Sequence, residues 1–274
     1  MMPPPVRAAP NAVPASASRV AGRREPTTGG PWPRPAPDGA VGSRRPVACR
    51  PPAAPRRALN GLLRQELTGS SVLRFPRREL VYSRYGTNGG PAEDASLYIV
   101  ESGYIKLVTP SRDGKECLLG IFAGGDVIGE ISLGDSERYE CAMTMTPAVV
   151  RRMPRAGLMA MLDSPGVREE FIRYLGQRLL EQQQLITDFV TADSEHRFAA
   201  ILLHLSRKIG TRTGAMLAID ARITQEEFAA MVGTTRSRIG LFLKHFVEAG
   251  LVCKGGRGTI AVDDAAVKRY LELC

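Results

Sequence analysis

Two short amphipathic segments joined by a glycine, within residues 223–252, constrain the fold more than any other part of the sequence. Thr224 and Glu227 have the spacing of a capping box, which begins a helix by pairing its first backbone N–H groups. Ile223 and Phe228 stand at the two positions of a hydrophobic staple, which supports the same helix start. The pattern therefore predicts a helix that begins just after Thr224.

This first helix is predicted to end at Gly233, because glycine readily adopts the left-handed conformation that closes many helices. Thr235 can cap a second helix. The apolar residues predicted to be buried are Phe228, Met231 and Val232 in the first helix, and Ile239, Phe242, Leu243 and Phe246 in the second. Two short helices joined by a glycine turn, with a polar start to the second, are typical of DNA-binding proteins.

The first turn of the second helix carries Arg236 and Arg238, where the helix dipole is already positive. A cation there costs about 0.3–1 kcal/mol. An anionic partner explains the arrangement, because helix N–H groups and arginines together bind phosphate or a guanine edge. The glycine-rich run that follows predicts a hairpin wing, with Lys254 and Arg257 placed to contact phosphates. An ordinary helical hairpin with a solvated basic face is the alternative.

Residues 59–154 show a different pattern, with short β-prone runs separated by turn signals. Two runs flank Glu101-Ser102-Gly103, a tight turn, and two more flank Asp113-Gly114, a dipeptide typical of hairpins. Residues 141–153 add a further pair of strands. This spacing predicts a closed sandwich or jelly roll.

From Pro165 to about Asp193 the apolar period becomes that of a long helix. A seam with alternating spacings of three and four residues comprises Ile172, Leu175, Leu179, Gln182, Ile186 and Phe189. A helix packed on its own domain needs a similar stripe. The place of the helix between two domains, and the polar Gln182 within the seam, favour a homodimer instead.

The net charge of +9 is concentrated in residues 1–57, which hold ten Arg, no Lys and two acids. Because this segment also holds 14 of the 20 prolines, we expect it to be disordered. It would serve at most as a weak electrostatic arm for DNA or another polyanion. A non-functional extension, or a start codon assigned too far upstream, explains it more simply.

Several classes of protein are not expected from the composition. The five cysteines form no C-x-x-C pair, which argues against disulfides, zinc and iron–sulfur clusters. No stretch approaches the ~20 apolar residues of a membrane span, and no secretory signal is visible. Nothing resembles a nucleophile–base pair or a Walker loop. We therefore expect a cytoplasmic protein that is not an enzyme and that holds no metal or cofactor.

The helix pair and wing, together with "LYIVESGYIKL", "DGKE" and "GDVIGEISL", resemble the Crp–Fnr family of bacterial transcription regulators. The resemblance implies an α+β chain in three parts: a cyclic-nucleotide-binding-type β-roll (58–164), a dimerisation helix (165–193) and a winged helix–turn–helix (194–274). It also implies a homodimer that binds a palindromic site on double-stranded promoter DNA and contacts RNA polymerase.

The resemblance carries over to individual DNA-binding positions. Arg236 matches the guanine-reading arginine of the family, whereas Ser237, Arg238 and Leu241 depart from the residues usual at their positions. We therefore predict an operator other than the commonest one, with Leu241 meeting a thymine methyl. The predicted DNA-binding residues are Thr224, Thr234, Thr235, Arg236, Ser237, Arg238, Leu241, Lys244, Lys254 and Arg257.

The effector site departs further from the family pattern. Members that bind cyclic AMP have Gly-Glu followed at fixed spacing by Arg-Ser; Gly129 and Glu130 are present here, but that spacing ends at Glu140-Cys141. A carboxylate aimed at the cyclic phosphate is repulsive, so cyclic AMP is not the expected effector. Glu130 is expected to accept strand-end N–H groups or, alternatively, a ribose hydroxyl. The degenerate pocket is predicted to comprise Gly129, Glu130, Glu140, Cys141, Gln182 and Gln183.

Two other kinds of sensing are less well supported by the sequence. His196, His204 and His245 lie in the C-terminal helical part, away from the roll that would hold haem. Cys117 and Cys141 are interpreted as strand residues, with a thiol sensor at Cys141 as the alternative. A cyclic-nucleotide-type module that regulates a protein partner is a further alternative, which the winged C-terminus argues against.

Overall fold

Short strands separated by turns build the first half of the molecule, as predicted. The computed structural model describes Leu59 and residues 61–63, 71–83, 96–111, 116–134 and 138–273, all within one compact unit. The strands are β1 (Val72–Phe75), β2 (Leu80–Tyr82), β3 (Leu97–Ser102), β4 (Ile105–Pro110), β5 (Glu116–Phe122), β6 (Val127–Ile128), β7 (Cys141–Thr144) and β8 (Ala148–Met153). The N-terminal tail (1–57) and the Asp113-Gly114 turn lie outside the described residues.

The strands form two antiparallel sheets, in the orders β1-β8-β3-β6 and β2-β7-β4-β5. Residues of both sheets meet in a shared apolar core: Val81, Tyr82, Tyr98, Val100, Ile105, Leu107, Phe122 and Ile128. This confirms the predicted roll. Strands β4 and β5 pair directly, but β3 and β4 do not. The turn at Gly103 therefore connects the two sheets and does not close a hairpin. The residues of a tight turn suit either kind of connection.

The second half of the molecule is mainly helical. Its helices are α1 (Arg155–Met161), α2 (Pro165–Thr191), α3 (Ser194–Ile209), α4 (Gln225–Val232), α5 (Arg236–Glu248) and α6 (Asp264–Leu273). A small sheet in the order β11-β12-β10-β9 comprises β9 (Thr211–Thr213), β10 (Met216–Ile219), β11 (Val252–Lys254) and β12 (Ile260–Val262). The helices α1 and α6 and the strand β9 were not predicted.

The long helix α2 presents two different apolar faces. Val167, Phe171 and Tyr174 are buried against the roll, where the Tyr174 hydroxyl donates to the Val127 carbonyl at 2.7 Å. The apolar residues of the predicted seam are exposed in the single chain: Ile172, Leu175, Leu179, Ile186 and Phe189. The stripe that packs on the roll is therefore distinct from the seam.

The helices α3, α4 and α5 share one core with part of the roll. Phe198, Phe228 and Phe246 lie in this core, and Val108 and Leu118 reach it from the roll. Only Ala192 and Asp193 separate α2 from α3, and the Asp193 side chain caps α3 by accepting the His196 N–H at 2.8 Å. Within the described ranges, no helix has both the length and the apolar character that a membrane span requires.

Candidate nucleic-acid interface and sensor site

The helix pair α4–α5 has the local geometry predicted from the sequence. Thr224 and Glu227 form the reciprocal capping box, with bonds of 2.9 Å from the Thr224 N–H and 3.1 Å from the Glu227 N–H. Gly233 ends α4 with φ of 72°, in the left-handed region. The predicted buried set of α5 is confirmed at all four positions, whereas Met231 of α4 is only partly buried.

The start of α5, residues Thr235 to Arg238, projects into solvent, and we call it the reading tip. The Thr235 hydroxyl accepts the Arg238 N–H at 3.4 Å, so the predicted cap is present. Within the part of the chain that the structure describes, no carboxylate forms an ion pair with Arg236 or Arg238. Both guanidiniums are therefore open to an external anion.

Two of the other predicted DNA-binding residues, Leu241 and Lys244, lie further along α5. Leu241 is 49% exposed, and Lys244 is exposed beside Glu248, 3.8 Å away. Thr224 is exposed and Thr234 is half-buried. The exposed face of α5 is continuous with the reading tip, so a groove that receives the tip also meets Leu241.

The predicted wing is an antiparallel pair, in which Cys253 of β11 lies opposite Ala261 of β12. A 3₁₀ turn, Gly256–Gly258, connects the two strands, and the Gly255 N–H donates to the Thr259 carbonyl at 2.8 Å. Lys254 is exposed at the end of β11. The Arg257 side chain lies outside the described part of the structure.

The turn between α4 and α5 is supported from the end of the long helix. A Cβ on Gly233 would lie 2.5 Å from the Phe189 ring, so no other residue fits without displacing that ring. The Arg197 guanidinium lies 4.7 Å from the centre of the same ring, and its Nε donates to the Val232 carbonyl at 3.1 Å. One residue of the predicted dimer seam thus contacts the turn between α4 and α5 directly.

A second contact ties α4 to the roll. Lys106 Nζ of β4 lies 2.9 Å from Glu227 Oε1, and both side chains are mostly buried. Burial alone would raise the pKa of Glu227, but the Thr224 N–H and Lys106 lower it below the ordinary value. The capping box of α4 is therefore also an ion-pair partner of the roll.

Inside the roll, five ionisable side chains converge, and we call them the roll site: Tyr82, Glu130, Arg138, Glu140 and Arg178. The Tyr82 hydroxyl donates to Glu140 Oε1 at 3.0 Å. Arg178 Nε of α2 donates to Glu130 Oε1 at 3.0 Å. The Arg138 guanidinium lies 4.1 Å from the centre of the Tyr82 ring. Arg138 and Glu140 are both at most 5% exposed, so the site is almost dry.

Burial raises the pKa of two groups in the roll site, Glu140 and Tyr82. It raises the pKa of Glu140 above its ordinary value, and the nearby Glu130 carboxylate raises it further. The pKa of Tyr82 is also raised, first by burial and then by Glu140. The Oε2 atoms of Glu130 and Glu140 are buried without a hydrogen-bond partner. Each of these carboxylates therefore keeps unused acceptor capacity.

The structure supplements one expectation for this pocket and corrects two. The carboxylate of Glu140 is accompanied by a cation that the spacing did not reveal, because Arg138 enters the site and its Nη2 donates to the Ser96 carbonyl at 2.7 Å. Glu130 binds the Arg178 guanidinium instead of strand-end N–H groups. Cys141 packs towards the core shared with the helices, beside Val108, and so lies apart from its neighbour Glu140.

The predicted residues of the long helix also lie apart from the roll site. Gln182 lines a small cavity with Leu119 and Met231, and Gln183 is exposed. His204 is half-buried and lines the same cavity, so it lies beside β5 and not away from the roll. The helix reaches the roll site through Arg178, one turn before Gln182.

Sequence reasoning missed Tyr82, Arg138 and Arg178 as members of the roll site. The signal for Arg138 was its place two residues before Glu140, because a loop two residues shorter than the family spacing would put an arginine at the expected position. Gly129 offers a second signal, because its φ of 87° and missing Cβ leave room for Arg138 Nη1, 3.1 Å from where a Cβ would stand. No local pattern points to Tyr82 or Arg178.

Comparison with known proteins identifies a family match for the roll and another for the helix–turn–helix region. Residues 87–164 match the cyclic nucleotide-binding domain family, and residues 196–267 match the Crp-like helix-turn-helix domain family. The CRP-like cAMP-activated global transcriptional regulator of Mycobacterium tuberculosis is 32% identical over 197 residues, which cover 71% of this chain and 85% of the relative.

Solved structures agree with the fold. The c-di-GMP responsive global regulator CLP of Xanthomonas campestris is similar with a TM-score of 0.59 and 25% identity, over 74% of this chain and 98% of that protein. A CRP/FNR-family transcriptional regulator of Thermus thermophilus gives a TM-score of 0.59 at 22% identity, over 74% of this chain and 98% of that chain.

Proposed function

Because this chain belongs to the Crp–Fnr family of DNA-binding transcription regulators, we propose that it binds a palindromic promoter site as a homodimer. The observation that carries the proposal is the reading tip. Its two guanidiniums are exposed at the positive end of a helix and face no protein carboxylate in the described ranges. A phosphate or a guanine edge provides the missing negative partner.

The roles of individual residues follow from their positions. Arg236 reads guanine, Arg238 and Ser237 contact the backbone or a neighbouring base, and Leu241 meets a thymine methyl deeper in the groove. Residues at the edge of this face position the protein on phosphates: Thr224, Thr234, Thr235, Lys244, Lys254 and Arg257. As a regulator bound at a promoter, the protein would contact RNA polymerase.

The homodimer is supported by the second face of α2. Ile172, Leu179 and Ile186 are each at least 60% exposed in the single chain, at the spacing of a coiled-coil seam. An apolar stripe of this length calls for a partner, and a second copy of the same helix supplies a complementary stripe. Two paired copies present two reading tips, which suits a palindromic site.

The roll site supports a proposal about the effector. We propose that cyclic AMP is not bound, because a cyclic phosphate would meet the buried carboxylates of Glu130 and Glu140. A second candidate, a regulator that does respond to cyclic AMP, is favoured by one observation: the Arg138 guanidinium lies beside Gly129. Calorimetry with cyclic AMP on the full chain and on Arg138→Gln decides between them. Micromolar binding that is lost in Arg138→Gln would establish the second candidate.

DNA selected from a random pool tests the main proposal. We expect the pool to converge on a two-fold symmetric sequence. Arg236→Ala should then weaken binding to it by roughly 10- to 100-fold, corresponding to about 1–3 kcal/mol. Lys268→Ala on α6 removes a cation that pairs with Glu272 and serves as the matched control. Equal affinity of Arg236→Ala and the unmodified chain would refute the assigned role.

A further inference from the structure

Phe122, at the end of β5, lies between the roll site and the helices of the DNA-binding domain. Two cations from different helices contact its buried ring. The Arg178 Cζ of α2 lies 4.7 Å from the ring centre, and the Lys208 Nζ of α3 lies 3.9 Å from it. Both distances are within the about 6 Å range of cation–π attraction.

The same two cations bind carboxylates on either side of the two-residue strand β6. Arg178 Nε lies 3.0 Å from Glu130 Oε1, and Lys208 Nζ lies 3.8 Å from Asp126 Oδ2. The Asp126 carboxylate is itself fixed, because its Oδ2 accepts the Ala123 N–H at 2.9 Å. A short strand of the roll is thus held at one end by the long helix and at the other by the first helix of the DNA-binding domain.

Burial makes this arrangement sensitive to change. The Lys208 side chain is only 4% exposed and that of Asp126 only 7%. Removing one member of such a buried pair leaves an uncompensated charge, which is strongly unfavourable. A cavity of about 20 Å³, lined in part by Arg178 and Lys208, lies beside this arrangement.

We propose that this joint, formed by Phe122, Asp126, Arg178 and Lys208, couples the roll site energetically to the DNA-binding domain. A change at Glu130 alters the position of Arg178 on the ring that Lys208 also contacts. Lys208 belongs to α3, on which the helix–turn–helix is built. The inference deepens the proposed regulator function and rests on it for its biological meaning, since coupling is a free energy shared by two sites.

Hydrogen–deuterium exchange on the full chain tests the joint without DNA. Lys208→Met keeps the length of the side chain and removes its charge. We expect backbone exchange over residues 127–133 of the roll to become about 3-fold faster or more, although the substitution lies in α3. Lys268→Met, which removes a cation from α6, is the matched control and should leave that segment unchanged. Unchanged exchange over residues 127–133 in Lys208→Met would overturn the proposal.

Phe122→Leu provides a second test, with Phe75→Leu, a half-buried residue of β1, as its control. We expect Phe122→Leu to speed backbone hydrogen exchange around both Arg178 and Lys208, and Phe75→Leu to leave that exchange unchanged.

Affinity for the selected DNA then completes the test. Lys208→Met should change the affinity for this DNA by about 5-fold or more, whereas Lys268→Met should leave the affinity unchanged. Faster exchange with unchanged affinity for a verified operator would overturn the coupling. Failure to find any specific DNA would instead count against the proposed function, while the exchange result still judges the joint.

Discussion

The reading tip and the roll site are both clusters of charge, but they treat charge in opposite ways. At the tip, Arg236 and Arg238 stand in solvent with no carboxylate partner among the described residues. In the roll site, Glu130 and Glu140 are buried and are held by Arg178 and Tyr82. Exposed cations keep their affinity for an outside anion, whereas buried pairs have satisfied most of theirs internally. The comparison supports the tip as a surface for an anionic partner and the roll site as a cluster that stabilises the roll.

The sharpest way to test this difference is to break the buried pair. Arg178→Met leaves the Glu130 carboxylate without its guanidinium and should lower the free energy of unfolding by about 3–5 kcal/mol. Urea denaturation measures the loss. Lys268→Met, which breaks an ion pair with Glu272 that is about half exposed, should change stability by no more than about 0.5 kcal/mol. A similarly small change in both variants would mean that the roll site does not hold the fold.

The helix pair should respond to smaller, local changes. Thr224→Ala removes the hydroxyl that accepts the Glu227 N–H and should cost about 1 kcal/mol of unfolding free energy. The same denaturation experiment measures it, with Thr213→Ala in the exposed strand β9 as the control. A loss of stability equal to that of Thr213→Ala would show that the capping box does not stabilise α4.

The smallest expected effect is a pH dependence that distinguishes the two regions. The folded state raises the pKa of Glu140, so it binds this proton more tightly than the unfolded chain does. Stability should therefore fall as pH rises from the ordinary value of 4.5 through the raised pKa, and Glu140→Gln should remove that fall. Stability curves at several pH values reveal it as a slope difference. Parallel curves would contradict the raised pKa.

Glu227 should behave in the opposite sense, because its pKa is lowered in the folded state. Its contribution is fully present above the ordinary value of 4.5 and is lost as pH falls through the lowered pKa. Glu227→Gln should therefore flatten the acid side of the stability curve. An unchanged acid side in this variant would mean that Lys106 and the capping box do not hold the carboxylate.

How much the sequence could predict differs between the regions for a physical reason. The capping box, the glycine turn and the four buried residues of α5 all depend on neighbours within one or two helical turns. The roll site takes Tyr82, Glu130 and Arg178 from separate segments, so their meeting depends on sheet order. A spacing rule pointed to Glu140, which does lie in the roll site, but overlooked Arg138, since the rule assumed a loop of fixed length.

The same reasoning explains the fold. Strand positions followed from turn residues, which act locally, so most strands of the roll were predicted. The partner of each strand did not follow, because β3 and β4 flank a tight turn and yet lie in different sheets. The dimer seam could be read from α2, but the contact of Phe189 with Gly233 could not, because it joins residues 44 positions apart.

The two-residue link between α2 and α3 has a consequence for the spacing between the two halves of a DNA target site. With only Ala192 and Asp193 between the helices, and Phe189 packed against Gly233, the α4–α5 pair is tied closely to the end of α2. In the proposed homodimer, the two reading tips would then keep a fixed separation of about one or two turns of the double helix. Target sites with a base pair inserted at their centre should be rejected even when both halves are perfect.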